Sequence, residues 1–306
     1  MAGCGGSGNS GGQASSTGAT VATRTPAPGT RPCGTAGSAT YRHVIWILME
    51  NQSYGSVIGS GSAPYETALA HQCASASHWQ DAGSQYDSLP NYIAMTTGIP
   101  TGDPRLDPFS CDCAPSSSVS VTADNLFRQL RAAGLTEKSY AEGMSGNCGT
   151  GGTMYAPKHN PALYMWGGND RQACAADDVP MGSNASGAFV DDLQAGRLPN
   201  FSFIAPNLCH DTHDCGIATG DAYLKTLISN ILASGLYRQG HTALVVAWDE
   251  DTPIPNLVVS PSVHPGTVVG STVSHYSLLR ATEDIFGLPR LLAAADAPDL
   301  RAATGL

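Results

Sequence analysis

The chain has 306 residues, with 15 Lys and Arg against 25 Asp and Glu, and a formal net charge of −10 at pH 7. This length is enough for one large domain with a substantial core. The acidic balance and the lack of a basic run argue against a nucleic-acid partner, and no apolar run is long enough to predict a membrane-spanning helix.

The first forty residues predict a flexible tether. Residues 1–40 are rich in Gly, Ser, Thr and Pro, a composition typical of a linker. Within them, Ala2-Gly3-Cys4 resembles the end of a bacterial lipoprotein signal, whose cysteine carries a lipid after cleavage. We therefore expect a secreted or cell-envelope protein with a membrane tether through lipidated Cys4. The alternative is an ordinary cysteine in a tail.

From residue 41 onward, short apolar runs alternate with helical patterns. The predicted strands are Tyr41–Met49, Ser139–Ala141, Asn200–Pro206 and Ala243–Trp248. The predicted helices are Tyr65–Ser75, Asn91–Thr97, Ala123–Ala133, Asp221–Ser234 and His275–Phe286, with loops at Asp107–Ser118 and at 143–185. This order predicts one domain over residues 41–306, an α/β fold built as a three-layer α/β/α sandwich with a mostly parallel central sheet.

Two predicted strands end in polar pairs. Glu50 and Asn51 follow the first strand, and Asp249 and Glu250 follow the last one. Because ligands bind beyond the carboxyl ends of the strands in open α/β sheets, we expect these side chains to meet there. Their oxygen atoms suit a divalent metal ion. The alternative is that each pair caps a helix or lies in a solvated loop.

Ser88 stands just before the predicted helix Asn91–Thr97. A serine in this place is ordinarily an N-cap, and that is one interpretation. The same position also suits chemistry, because a helix N-terminus offers unpaired N–H groups to an anion such as a phosphoryl group. A base or a metal would make the Ser88 hydroxyl a nucleophile. Asn91, one turn further on, would then donate to the transferred oxygens.

Several histidines lie near other polar residues in the sequence. They are His159 beside Lys158 in the 143–185 loop, His210 and His213 beside Asp214, and His275 at a helix start. A single histidine is more often a structural residue than a functional one. Histidines spaced three apart can also ligate a metal, so a second metal at His210 and His213 is an alternative to a role in catalysis.

The nine cysteines are scattered and include no C-x-x-C pair. They are Cys4, Cys33, Cys73, Cys111, Cys113, Cys148, Cys174, Cys209 and Cys215. This usage favours disulfides and an oxidising compartment over nine free thiols. Cys209 and Cys215 flank the His210–Asp214 cluster, and we expect a disulfide between them to clamp that loop.

Five segments together resemble a known family. They are Ile47–Asn51, Ser88–Ala94, Tyr155–Pro161, Trp248–Glu250 and His275–Leu279. The set is similar to the bacterial phosphoesterase family of secreted acid phosphatases and phospholipases C, within the alkaline-phosphatase superfamily, over about residues 41–290. The resemblance implies an alkaline-phosphatase-like fold and metal-dependent phosphoryl transfer through a phospho-serine.

The resemblance also implies a role for each site residue. The metal ligands would be Glu50, Asn51, Asp249 and Glu250, with Ser88 as nucleophile and Asn91 on the phosphoryl oxygens. Around the phosphate or leaving group would lie Lys158, His159, His210, His213, Asp214 and His275, with His275 or His210 as proton donor. Relatives with two zinc ions carry an Asp-His pair in place of Asp249-Glu250. This difference favours one metal with oxygen ligands, and Ca, Zn, Mg, Mn and Fe all stay open.

The sequence therefore predicts an acid-phosphatase-like phosphomonoesterase that acts on a small phosphate ester or a phospholipid headgroup. A phospholipase C-type phosphodiesterase with the same core is the first alternative. A lipid-anchored binding protein on an inactive hydrolase fold is the second, and the intact Ser88 and acidic set argue against it.

Overall fold

The computed structural model describes residue 1 and residues 31–37, 40–82 and 87–306. Most of the predicted tether, including Cys4, lies outside the described residues, so the tether and its lipid stay predictions. In the part of the chain that the structure describes, no helix has the length and apolar character needed to cross a membrane.

An eight-stranded, mostly parallel sheet lies at the centre of the fold. The strands are β1 (His43–Met49), β2 (Ala74–Ala76), β3 (Trp79–Gln80), β4 (Glu137–Ala141), β5 (Asp178–Pro180), β6 (Phe201–Ala205), β7 (Thr242–Trp248), β8 (Leu257–Val259), β9 (Thr267–Val269) and β10 (Val273–Ser274). The order in the large sheet is β5-β4-β6-β1-β7-β8-β2-β9, while β10 and β3 form a small second sheet. Strand β8 runs antiparallel to β7 and β2, and the other described pairs are parallel.

The described residues form ten α-helices, several of which contact one another. They are α1 (Tyr54–Val57), α2 (Pro64–Gln72), α3 (Ser88–Thr97), α4 (Leu126–Ala132), α5 (Asp170–Asp177), α6 (Ala188–Gln194), α7 (Ile217–Ala233), α8 (Gly235–Arg238), α9 (His275–Phe286) and α10 (Leu300–Thr304). Short 3-10 helices lie at Pro104–Phe109, Pro157–His159, Pro161–Tyr164 and Leu292–Ala295. Helix α7 contacts α2 and α8, whereas α9 contacts α3, α4 and α10.

Strand β1 illustrates why both faces of the sheet are covered. Its residues from Val44 to Met49 are all buried, as expected for a central strand of a parallel sheet. Side chains alternate along a strand. The Trp46 Nε1 donates to Thr282 Oγ1 of α9 at 3.1 Å, while Met49 packs on the other face against Gly220 of α7. The predicted three-layer α/β/α sandwich is therefore confirmed.

The observed helix bounds differ from the predicted ones at several places. Helix α3 begins at Ser88, three residues before the predicted start, because Asp87 takes the N-cap position and proline is tolerated in a first helical turn. The predicted helix Tyr65–Ser75 ends at Gln72, since Ala74–Ala76 pairs with β8 and β9 as strand β2. Helix α7 begins at Ile217, four residues before the predicted Asp221.

The predicted loops contain short helices. The 143–185 segment holds α5, strand β5 and two 3-10 helices, and the Asp107–Ser118 segment begins inside a 3-10 helix. Neither α5 nor α6 was predicted. Both are only seven or eight residues long, so each offers two turns of periodic pattern at most.

Four disulfides join the eight cysteines of the described chain. The pairs are Cys33–Cys73, Cys111–Cys113, Cys148–Cys174 and Cys209–Cys215. The predicted bridge between Cys209 and Cys215 is confirmed, and it closes the loop that follows β6.

Candidate active site

Three neighbouring strands bring three carboxylates together at one edge of the sheet. Strands β6, β1 and β7 are adjacent, and Met49 pairs in register with Trp248, so Glu50 and Asp249 emerge side by side. The Glu50 N–H donates to the main-chain oxygen of Asp211 at 2.8 Å, which ties the loop after β6 to the same edge. All three carboxylates are at most 1% exposed.

Helix α3 presents two hydroxyl groups to Glu50. The Ser88 Oγ donates to Glu50 Oε2 at 3.0 Å, and the Tyr92 hydroxyl donates to Glu50 Oε1. These residues are four apart, so they lie on the same side of the helix. The helix stops at Gly98, whose φ of +69° suits glycine and where a Cβ would lie 2.4 Å from the main-chain oxygen of Leu291.

His159 connects two of the carboxylates. Its Nδ1 lies 3.1 Å from Asp211 Oδ2, and its Nε2 lies 3.3 Å from Glu50 Oε1. The imidazole ring stacks on Tyr92 with centroids 5.5 Å apart and the planes 9° from parallel. Glu50 therefore accepts hydrogen bonds from Ser88 and Tyr92, and its Oε1 lies close to the His159 ring.

The predicted metal ligands form a set of oxygen donors. Carboxylate oxygens of Glu50, Asp249 and Glu250 all lie within 4.8 Å of one another. The Asn51 N–H donates to Asp249 Oδ1 at 3.4 Å. Asn51 Oδ1 and Asp249 Oδ2 are buried and have no hydrogen-bond partner among the described residues. Unsatisfied buried oxygens next to crowded carboxylates fit a hard divalent cation.

Burial, and then the charge of neighbouring carboxylates, raises the pKa values of these carboxyl groups. Burial raises the pKa of Glu50 well above its usual value, and the charges of Asp249 and Asp211 raise it further. Burial raises the pKa of Asp249 and of Asp211 to about 7, and burial together with the charge of Asp249 raises that of Glu250 to about 8. A bound cation would offset this repulsion and favour the ionised forms.

His213 is the solvent-facing histidine of the site. One of its ring nitrogens, one of His159 and an oxygen of Glu50 lie within 4.8 Å of one another. The His213 Nδ1 lies 2.7 Å from Asp214 Oδ1. The His213 side chain is 28% exposed, whereas His159 is buried.

His210 and His275 have other partners. The His210 Nδ1 lies 2.8 Å from Glu142 Oε2, and its ring stacks on Tyr223 with centroids 4.6 Å apart. The His275 Nε2 lies 2.8 Å from the main-chain oxygen of Asp249, and the residue is fully buried. Of the histidines expected around the phosphate, His213 and His159 therefore lie near Glu50, whereas His210 and His275 contact Glu142 and the Asp249 main chain.

Asn91 and Lys158 make contacts around the start of α3. The Asn91 Oδ1 accepts from the Ala82 N–H at 3.1 Å and its Nδ2 donates to the Asp87 oxygen at 3.4 Å, so its amide supports the main chain before Ser88. A contact of Asn91 with phosphoryl oxygens stays a prediction. The Lys158 Nζ lies 2.8 Å from Asp112 Oδ2.

The sequence interpretation did not assign Tyr92, Asp211, Glu142 or Asp112 to the site. Tyr92 had a usable signal, because it lies one helical turn after Ser88 on the same face. Asp211 stood inside the recognised histidine cluster. Glu142 and Asp112 had no local signal, since each is defined by partners distant in the chain.

Comparisons with known proteins agree with this geometry. A model of the Phosphoesterase family matches residues 61–289. The chain belongs to the Phosphoesterase family. It is therefore a hydrolase of phosphoester bonds, as the sequence predicted.

Relatives of this family include phosphatases and a phospholipase. A phosphatidylinositol-3-phosphatase of Mycobacterium tuberculosis is 32% identical over 87% of this chain and 85% of its own length. A probable acid phosphatase of Kluyveromyces lactis is 25% identical over 83% of this chain and 60% of its own length. Phospholipase C A of M. tuberculosis is 32% identical, but over only 26% of this chain and 16% of its own length.

Solved structures support the fold. A lipoteichoic acid synthase of Listeria monocytogenes aligns with a TM-score of 0.59 at 8% identity, covering 90% of this chain and 78% of the other. A protein of the alkaline phosphatase superfamily from Vibrio parahaemolyticus aligns with a TM-score of 0.54 at 13% identity, covering 88% and 74%. The alkaline-phosphatase-like fold is thus confirmed.

The Tyr92 hydroxyl gives a test of the cation site. Tyr92→Phe removes a donor to Glu50 without changing the ring, and we expect divalent-cation affinity to fall by roughly 10- to 100-fold, the scale for partners of metal ligands. Isothermal titration calorimetry measures this. Tyr140→Phe is the matched control, because the buried Tyr140 donates to Asp192 outside the site. Equal cation affinities in the two variants would contradict the assignment.

Proposed function

We propose that the protein is a metal-dependent phosphomonoesterase that works through a phospho-serine on Ser88. The observation that carries the proposal is the 3.0 Å hydrogen bond from Ser88 Oγ to Glu50 Oε2, made at the N-terminus of a ten-residue helix. A hydroxyl next to a carboxylate and a helix N-terminus suits attack on a phosphoryl group.

In the first step, Ser88 Oγ attacks phosphorus and the ester oxygen leaves. The Ser88 proton already points at Glu50 Oε2, so this carboxylate is in position to accept it. Tyr92 donates to the other oxygen of Glu50 and keeps the carboxylate aimed at the serine. Water then hydrolyses the phospho-serine, which releases phosphate and restores the hydroxyl.

Glu50, Asn51, Asp249 and Glu250 are the residues that would hold a divalent cation. When bound, such a cation supplies a Lewis acid for the phosphoryl oxygens and lowers the pKa of the serine. The unpartnered oxygens of Asn51 and Asp249 support this ligand set. The alternative second metal at His210 and His213 has no support, because no group of possible metal ligands among the described residues contains His210.

His213 is the best placed proton donor for the leaving oxygen. Asp214 engages its Nδ1, which leaves Nε2 as the atom that carries the mobile proton. His213 is partly exposed, and a leaving group departs toward solvent. The sequence interpretation gave this role to His275 or His210. Their contacts with the Asp249 main chain and with Glu142 favour structural roles for both.

The share of the chain that aligns with each relative favours a monoesterase over a phosphodiesterase. The phosphatidylinositol-3-phosphatase matches most of both chains, whereas phospholipase C A matches a short part of each. A phosphate ester on a small molecule or on a lipid headgroup is therefore the proposed substrate. An inactive binding protein is disfavoured by the hydrogen-bonded Ser88–Glu50 pair.

The proposed location is outside the cytoplasm. Four disulfides among the described residues support an oxidising compartment. A membrane tether through Cys4 is part of the proposal and rests on the sequence alone.

Replacing the proposed nucleophile tests the mechanism. Ser88→Ala should lower kcat for p-nitrophenyl phosphate by at least roughly a thousandfold, because the nucleophile and its partners act as a unit. Ser139→Ala, a change at a buried serine of β4, is the control and should keep normal turnover. A Ser88→Ala enzyme with near-normal kcat refutes the mechanism. Faster turnover of bis-p-nitrophenyl phosphate than of the monoester by the intact protein refutes the choice of substrate class.

The leaving-group dependence identifies the proton donor. His213→Ala should lower kcat more for alkyl phosphates than for p-nitrophenyl phosphate, because nitrophenolate leaves without a proton. His275→Ala is the comparison and should affect both substrates alike. If His275→Ala instead selectively slows the alkyl phosphates, the role belongs to His275.

A further inference from the structure

A side-chain carboxylate occupies the N-terminus of α3. Asp112 Oδ1 accepts from the N–H of Leu89, the residue directly after Ser88, at 3.0 Å. Asp112 Oδ2 lies 2.8 Å from Lys158 Nζ. Asp112 has no role in the proposed attack of Ser88 on phosphorus. The Asp112 carboxylate therefore binds both the Leu89 N–H, which lies beside the proposed nucleophile, and the Lys158 ammonium group.

These two donors are the ones that a phosphoryl group needs. Free N–H groups in a first helical turn bind phosphate oxygens, and an ammonium group neutralises phosphate charge. Lys158 directly precedes His159, which contacts Glu50 and Asp211. An incoming phosphoryl group would otherwise meet a strongly acidic site. Lys158 is therefore well suited to bind the phosphoryl oxygens of a substrate, but without substrate it is paired with Asp112.

Solvent reaches both side chains of the Asp112–Lys158 pair. The side chains of Asp112 and Lys158 are 21% and 22% exposed, whereas Ser88 is 1% exposed. The contact between Asp112 and the start of α3 is therefore open to competition from a solute anion, while the nucleophile beneath it is shielded.

The chain around Asp112 holds it in this place. Asp112 lies between Cys111 and Cys113, which are joined by a disulfide. Its φ of +49° lies in the left-handed region, which aspartate adopts more readily than most residues other than glycine. Such a short closed ring keeps the carboxylate next to Leu89 at a high effective concentration.

We propose that Asp112 is an internal competitor of the substrate's phosphoryl group, displaced from Leu89 N–H and Lys158 when substrate binds. This inference rests on the proposed function, which puts the phosphoryl group beside Ser88. Competition raises the apparent Kd of a phosphate ester by the reciprocal of the fraction of enzyme in which Asp112 is displaced.

Asp112→Asn tests the proposal, since it keeps an acceptor for Leu89 but removes the charge that holds Lys158. Calorimetry with inorganic phosphate on the full chain should give a Kd about five- to tenfold tighter than in the wild type. KM for p-nitrophenyl phosphate should fall for the same reason. Asp107→Asn, an exposed aspartate of the same segment, is the control and should change none of these.

The Lys158→Met background separates competition from helix capping. There, Asp112→Asn should no longer tighten phosphate binding, because the shared partner is gone. Unchanged or weaker phosphate binding in Asp112→Asn alone, with Lys158 intact, means that Asp112 only caps α3, and it overturns the proposal. Should Asp112→Asn fail to fold, Asp112→Ser, which keeps a capping oxygen, takes its place.

Phosphate binding requires no turnover, so the outcome is independent of the nucleophile. Repeating the calorimetry in a Ser88→Ala background should give the same tightening from Asp112→Asn. Loss of the effect there would contradict the inference, whereas an active Ser88→Ala enzyme would contradict only the mechanism.

Discussion

The site depends on the electrostatic cost of placing Glu50, Asp211 and Asp249 together in the protein interior. Three buried carboxylates at one sheet edge repel one another, and burial without compensation is expensive for each. The compensation comes from hydroxyl donors on α3, from His159 and, in our proposal, from a divalent cation. A fold that needed only stability would not retain this arrangement, and such local conflicts are expected at functional sites.

The rest of the fold keeps these groups in position. Parallel pairing of β6, β1 and β7 fixes the three strand ends relative to one another. The Thr212 Oγ1 donates to the Glu50 main-chain oxygen at 2.6 Å, and Gly220 lets α7 approach Thr212, because a Cβ there would lie 2.4 Å from Thr212 Cγ2. The Cys209–Cys215 disulfide closes the same loop. Sheet, helix and crosslink therefore all constrain the loop that carries Asp211.

The sequence predicted the sheet core and its ligand edge because both depend on local patterns. The apolar runs before Glu50 and Asp249 became β1 and β7 with almost the predicted bounds. The roles of the histidines were harder to predict, because they depend on partners distant in the sequence. His210, for example, contacts Glu142, 68 residues earlier. The role of Asp112 could not be predicted for the same reason, because its contacts with Leu89 and Lys158 join three separate segments of the chain.

The proposed chemistry at Ser88 depends most directly on a divalent cation. A crystal structure of the full chain grown with a divalent metal, with anomalous data to identify it, tests the claim at atomic level. We predict one ion with oxygen atoms of Glu50, Asn51, Asp249 and Glu250 at roughly 2.0–2.6 Å, and with Ser88 beside it. An ion bound elsewhere, or these side chains unchanged and without metal at saturating concentrations, would contradict the account.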